Sequence, residues 1–174
     1  MKTTSKIFLL IIVSLAGLLS LFSNSSCGIY KFNEASIPDS IKTVKVSLFE
    51  NKAAYINPQL SPKLTDKFRQ KILVQTKLKQ TNSDNVDWEI SGTITQYSFI
   101  TSAISGQQAA NNRLTVGLQI ILVDNKENKT ERHDVSRSFE FKGDQSFQQA
   151  ESNLLDEMIR TLSDDIFNKL FSKW

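Results

Sequence analysis

Apolar and polar residues alternate along four stretches of this chain, and a period of two is typical of strands that bury one face. The four predicted strands span residues 43–49, 88–99, 114–122 and 135–141. In the first, Val44, Val46 and Leu48 share one face and are expected to point into the core. In the last, Arg137 interrupts the apolar face formed by Val135, Phe139 and Phe141.

The second predicted strand changes the parity of its apolar positions. Ile90 and Ile94 occupy even positions, whereas the next apolar residues, Tyr97 and Phe99, occupy odd ones. One extra residue in a strand produces such a change. A β-bulge is therefore predicted near Thr95–Gln96.

Two polar segments separate the later strands. Residues 102–112 are small and polar, which is typical of a loop. Residues 124–129 combine aspartate, asparagine, lysine and glutamate, and predict a hairpin loop between the third and fourth strands.

Between the first two strands, apolar residues recur at helical spacing. Ser61-Pro62 predicts the start of this helix, with serine as the N-cap and proline at the first helical position. An apolar stripe at every fourth position follows, and the polar residues 81–85 are expected to end the helix. Lysines dominate its other faces, which is typical of a solvated surface; contact with an anionic partner such as phosphorylated lipid is the alternative.

The strongest helical pattern comes last. Ser146 and Gln149 fit a capping box, in which each side chain bonds the other residue's backbone N–H. Apolar residues then follow the helical period from Ala150 to Leu170, and acidic residues occupy the opposite side.

The resulting order is β-α-β-β-β-α, which predicts an α+β fold. Two helices with apolar stripes are expected to pack on one face of a largely antiparallel four-stranded sheet, as a two-layer sandwich. This single domain is predicted to span residues 43–174.

The residues before this domain form a secretory signal. Lys2 and Lys6 precede an uncharged apolar run that extends to Phe22, and serine and asparagine follow. Residues 1–26 are therefore interpreted as a signal peptide and residues 27–42 as a lipidated N-terminus and tether.

Cys27, the only cysteine, comes directly after this signal and is the expected acceptor for a lipid in a bacterial lipoprotein. Asn24 is atypical, since an aliphatic residue usually stands three positions before the lipidated cysteine. One alternative is a secreted protein with a spare thiol, but an unpaired thiol is disfavoured in an oxidising compartment. The other is an uncleaved membrane anchor, but the apolar run is not followed by the basic cluster that would stop its transfer across the membrane.

Charge and composition exclude some classes of partner. The chain has a net charge of +3, and two of its lysines belong to the signal, so the mature protein is nearly neutral. No run of basic residues interleaved with aromatic ones indicates nucleic acid. The sequence predicts a core without disulfides.

Catalytic motifs are not found in the sequence. His133 is the only histidine, and no partner at metal-ligand spacing accompanies it. The acidic pairs 156–157 and 164–165 are adjacent on a helix, so their side chains diverge. We expect neither an enzyme, nor a cofactor, nor a metal site.

Several stretches resemble the LptE family of lipopolysaccharide-assembly lipoproteins in its Bacteroidetes branch. The resemblance covers nearly the whole mature chain in matching order. It is carried by Cys-Gly-Ile-Tyr-Lys-Phe at 27–32, Ser-Ile-Pro at 36–38, Ile-Lys-Thr-Val-Lys-Val at 41–46, Ile-Asn-Pro-Gln-Leu-Ser at 56–61, Gly-Thr-Ile-Thr-Gln-Tyr at 92–97, Asn-Arg-Leu-Thr-Val at 112–116 and the ending at 157–174.

The resemblance implies a lipoprotein on the periplasmic side of the outer membrane. Such a protein would plug a large β-barrel of the LptD type and assist the delivery of lipopolysaccharide to the cell surface. Basic side chains would contact lipopolysaccharide, and Arg113, Arg132 and Arg137 are the candidates by sequence position. Structural roles, including pairing with a helix carboxylate, are the alternative for each. A generic lipid-anchored adaptor or adhesin is the alternative function, and an enzyme is a weaker one.

Overall fold

Two helices and six strands make up the part of the chain that the structure, a computed structural model, describes: residues 37–100 and 111–172. The elements are β1 Thr43–Val46, β2 Glu50–Asn51, α1 Leu60–Gln75, β3 Lys79–Gln80, β4 Trp88–Ile100, β5 Asn111–Asp124, β6 Lys129–Lys142 and α2 Phe147–Phe171. The predicted signal peptide, Cys27 and most of the predicted tether lie outside the described residues.

The six strands form one sheet in the order β3-β1-β4-β5-β6, with β2 also paired to β4. Strands β4, β5 and β6 are antiparallel. Strand β1 pairs in parallel with β3 and β4, and β2 pairs in parallel with β4. The α+β prediction is confirmed, but the sheet has six strands and is mixed. The two extra strands have only two residues each, too few for an alternating pattern.

Both helices pack on one face of this sheet and bury its alternating apolar residues. On β5 these are Leu114, Val116, Leu118, Ile120 and Leu122. Helix α2 contributes Leu155, Met158, Leu162 and Ile166 to the same core. Burial of each leucine side chain contributes roughly 1.5–3 kcal/mol, so these residues are a main source of the stability of the fold.

Three local predictions are confirmed. The pairing of β4 with β5 skips one residue between Ile94 and Gln96, at the predicted bulge. Ser146 and Gln149 form the capping box, with bonds of 3.2 and 3.3 Å. The hairpin turns at residues 125–128, where Asn128 takes a φ of 53° that asparagine tolerates well. The predicted 102–112 loop is shorter at its end, since β5 already begins at Asn111.

Helix α1 begins one residue before the predicted cap. Its first amides are capped by Asn57, whose Oδ1 accepts from the N–H groups of Gln59 (2.8 Å) and Leu60 (3.2 Å). The hydroxyl of Ser61 instead donates to the carbonyl of Phe49. The prediction of Ser61 as N-cap was therefore wrong, because a tertiary partner competes for its hydroxyl.

The same helix ends at Gln75, well before the predicted end at 81–85. Thr76 is extended, and its hydroxyl donates to the carbonyl of Ile72 and accepts from the N–H of Leu78. This turn frees Lys79 and Gln80 to pair with β1. A β-branched residue whose side chain bonds the last turn disfavours further helix.

Phe49, and not Leu48, enters the core at the end of the first strand. Leu48 is 59% exposed, whereas Phe49 is buried against the ring of Phe68, with centroids 5.8 Å apart. The chain departs from regular pairing between β1 and β2, and this break reverses the expected side-chain parity. Gly92 makes room for the ring, since a Cβ there would lie 2.7 Å from its nearest atom.

None of the helices in the described residues combines the length and the apolar character needed to cross a bilayer.

Asp87 fixes the point at which the chain enters the fold. Its carboxylate accepts from the N–H groups of Lys42 (2.7 Å) and Thr43 (2.9 Å) and lies 3.3 Å from the ammonium of Lys126. The backbone hydrogen bonds, that of Lys42 foremost, lower the pKa of Asp87 to about 2. We call this region the tether end; it comprises residues 37–43, 81–88 and 124–128.

We expect Gly92→Ala to destabilise the fold by about 1–3 kcal/mol, because the added methyl meets the ring of Phe49 in a packed core. Urea denaturation measures this difference. Gly117→Ala is the matched control, since its Cβ would lie 3.1 Å from the nearest atom, the Cβ of the exposed Gln96, and would meet no buried ring. Equal losses in the two variants would contradict the proposed role of Gly92.

Asp87→Asn should lower stability at neutral pH but not in strong acid. The folded pKa lies below the ordinary value of 3.8, so the stabilisation by the carboxylate is present above that value and is lost as the pH falls towards 2. Denaturation midpoints of the two proteins should therefore converge across this window. Asp144→Asn, at an exposed turn, is the control; a wild-type advantage that persists unchanged at pH 2 would contradict the assignment.

Candidate functional site: the open face of the sheet

One face of the sheet has no helix on it, and we call it the open sheet face. On β4, buried Ile90 and Ile94 alternate with the partly exposed Ser91 and Thr93, which point to this face. The same alternation continues across the antiparallel strands. The centre of the face carries the polar residues Ser91, Thr93, Ser98, Thr115, Gln119, Asp134, Ser136 and Ser138, and the apolar residues Ile100, Ile121 and Val123 lie towards its ends.

Polar side chains on this face bond one another across the strands. Thr115 and Ser138 are directly opposite, with their hydroxyl oxygens 2.8 Å apart. Gln119 donates to the carboxylate of Asp134 over 3.5 Å. Hydroxyl and amide groups both donate and accept, so they can exchange these bonds for bonds to a polar partner.

Two of the three arginines singled out in the sequence lie on the open sheet face, at opposite ends. Arg113 is beside Glu140, with a nitrogen–oxygen distance of 3.5 Å. Arg132 is opposite Ile121 on β5, so at about 3.3 Å per residue the two positions are about 26 Å apart along the strand. They do not form one anion site.

Arg137 lies on the helix side of the sheet. Its Nη2 donates to Oδ1 of Asp165 on α2 over 2.8 Å, and its Nε donates to the other carboxylate oxygen. This hydrogen-bonded pair raises the pKa of Arg137. Here the alternative interpretation, pairing with a helix carboxylate, describes the side chain.

An aromatic cluster at the end of the sheet opposite the tether end was not found from the sequence. We call it the aromatic cluster; it consists of Tyr55, Tyr97, Phe99, Phe141 and Phe147, with neighbouring centroids 5.2–6.4 Å apart.

Glu151 of α2 joins the two tyrosines of this cluster. Its carboxylate accepts from the hydroxyl of Tyr97 over 2.8 Å and from that of Tyr55 over 3.2 Å. Burial raises the pKa of both phenols. The change of parity at the bulge was the available signal, since it turns Tyr97 towards the helices; Tyr55 lies in an irregular segment and gave none.

His133 lies in the part of the chain that the structure describes, 3.3 Å from the carboxylate of Glu131. Within that part, no group of three histidine, cysteine or acidic side chains is arranged to hold a metal ion.

Solved structures of similar fold come from several bacteria. A homologue of a putative neuraminyllactose-binding hemagglutinin from Helicobacter pylori has a TM-score of 0.52 at 9% identity, covering 82% of this chain and 90% of that one. A hypothetical protein from Chlamydia trachomatis has a TM-score of 0.49 at 8% identity, covering 76% and 99%. At these identities the likeness of the first shows the fold alone.

The search of curated proteins finds no match. The sequence does match the model of the LptE family, described as lipopolysaccharide-assembly, over residues 41–170. This range includes every strand of the sheet and all but the last residue of α2. The chain therefore belongs to the LptE family of lipopolysaccharide-assembly proteins.

Proposed function

We propose that this protein is an outer-membrane lipoprotein that plugs a lipopolysaccharide-translocating β-barrel of the LptD type. Acyl chains on Cys27 would hold it on the periplasmic side, and the domain would enter the barrel and assist the delivery of lipopolysaccharide to the surface. The protein would act by binding, without catalysis. Membership of the LptE family supports a general role in lipopolysaccharide assembly.

The open sheet face is the observation that carries the plug proposal. The interiors of large outer-membrane barrels are polar, whereas their lipid-facing surfaces are apolar. The centre of this face, which is rich in hydroxyl and amide groups, fits such a lumen because each group can form hydrogen bonds to the wall. The helix side of the same sheet is already covered and cannot offer them.

The position of the tether end supports one orientation. Strand β5 has 14 residues and is therefore about 46 Å long. A lipid on Cys27 would keep the tether end near the periplasmic leaflet. The aromatic cluster and Arg113 would then reach furthest from that leaflet, towards the lumen.

Arg113 and Arg132 are the proposed contacts for the anionic groups of lipopolysaccharide. Both are exposed on the open sheet face, where a ligand in the lumen could reach them. Arg137 is the weakest of the three original candidates, because Asp165 already engages its guanidinium.

We expect Cys27→Ala to abolish labelling with fatty acid and to move the protein out of the membrane fraction. One acyl chain binds membranes only marginally, so stable anchoring requires the several chains that a lipoprotein cysteine carries. Palmitate labelling and mass spectrometry of the mature N-terminus measure this directly. Unchanged labelling in the variant would contradict the lipoprotein proposal.

The partner is tested by affinity purification from detergent-solubilised outer membrane, followed by mass spectrometry. We expect a large barrel of the LptD type in a one-to-one complex, and reduced surface lipopolysaccharide after depletion of this protein. Recovery of the protein alone, with normal surface lipopolysaccharide, would favour the generic adaptor or adhesin.

A further inference from the structure

The most exposed apolar residues on helix α1 lie beside the tether end. Leu73 is 58% exposed and Val74 is 82% exposed. Val74 also lines a groove of about 380 Å³ whose opposite wall contains Ile37, the first described residue. We call Leu73, Val74 and this groove the Val74 patch.

Lysines surround the Val74 patch. Lys42 and Lys77 line the groove, and Lys67 lies seven residues before Val74, on the same outward stripe of α1. Among the ion pairs of the described residues, none includes any of these three lysines. Asp66, the acidic residue of the same helix, is already paired with Arg69. Asp39 is the one acidic residue in the lining of the groove, so the three lysines leave the surface net basic around an apolar centre.

This combination is typical of surfaces that lie on a bilayer. Small apolar side chains enter the boundary between headgroups and acyl chains, while lysines extend their ammonium groups to the phosphates. Anionic lipid attracts each such lysine within about a Debye length. A protein partner with a large contact area is disfavoured, because two adjacent apolar residues make only a small patch.

We infer that the Val74 patch is a membrane-docking surface for anionic phospholipid, which acts together with the lipid anchor. The inference rests on the proposed acylation of Cys27, ten positions before Ile37, which brings the patch within about 33 Å of the bilayer. Docking would fix the domain's orientation at the membrane and direct its opposite end towards the barrel. One lipid anchor would leave that orientation free.

The test is vesicle co-sedimentation of the mature chain carrying Cys27→Ala, so that acyl chains do not contribute. Vesicles of phosphatidylglycerol with phosphatidylcholine should bind the protein, and vesicles of phosphatidylcholine alone should bind it much less. Replacing Lys77 by glutamine should weaken binding about fivefold, the usual effect of one lysine near such a surface. Val74→Glu should weaken it further, and salt should weaken the wild type.

Ile56→Glu is the matched control, because Ile56 is 57% exposed but lies near the opposite end, beside Tyr55 of the aromatic cluster. Its vesicle binding should equal that of the parent, and circular dichroism should show all variants folded. No binding to anionic vesicles, or equal losses in Val74→Glu and Ile56→Glu, would overturn the inference. Affinity purification of the acylated Val74→Glu protein separates this outcome from failure of the proposed function. If the barrel still co-purifies with it, only the docking inference has failed.

Discussion

The packing of Phe49 between Gly92 of β4 and Phe68 of α1 joins the first helix to the sheet. The N–H of Phe49 donates to the hydroxyl of Thr65 over 3.0 Å, and its carbonyl accepts from Ser61, so α1 holds the backbone from two sides. The ring then lies on the one position of β4 that lacks a side chain. The interruption between β1 and β2 makes room for this ring, and the two strands pair with β4 on either side of it.

Because both helices pack on one face of the sheet, the other face is exposed and can contact a partner. Most apolar side chains of the three long strands point towards the helices, and most of their alternates are polar, although Ile100, Ile121 and Val123 also lie on the open side. The bulge at residues 94–96 preserves this division up to the end of β4, since it returns Tyr97 to the helix side. Tyr97 can then contact Glu151, and the centre of the open sheet face remains polar.

Long periodic elements could be predicted from the sequence, and short or tertiary ones could not. The bulge, the capping box at Ser146 and the helix side of β5 follow from local patterns of several residues. The early end of α1 depends on Thr76 and on pairing partners distant in the chain, which no local pattern reveals. Likewise, Phe49 enters the core in place of the predicted Leu48 because Gly92, which is distant in the sequence, makes room for its ring. At the site, the polar face was readable from alternation, but the separation of Arg113 from Arg132 and the partner of Arg137 required the register of the strands.

The most direct test of the central claim, that the open sheet face meets the wall of a translocating barrel, is site-specific photocrosslinking in cells. A photoreactive residue at Ser136, exposed at the centre of β6, should yield a crosslinked species that contains the large barrel. The same residue at Val74 should not yield this species. Absence of a barrel crosslink from Ser136, in cells where the protein still co-purifies with the barrel, would contradict the assignment of this face.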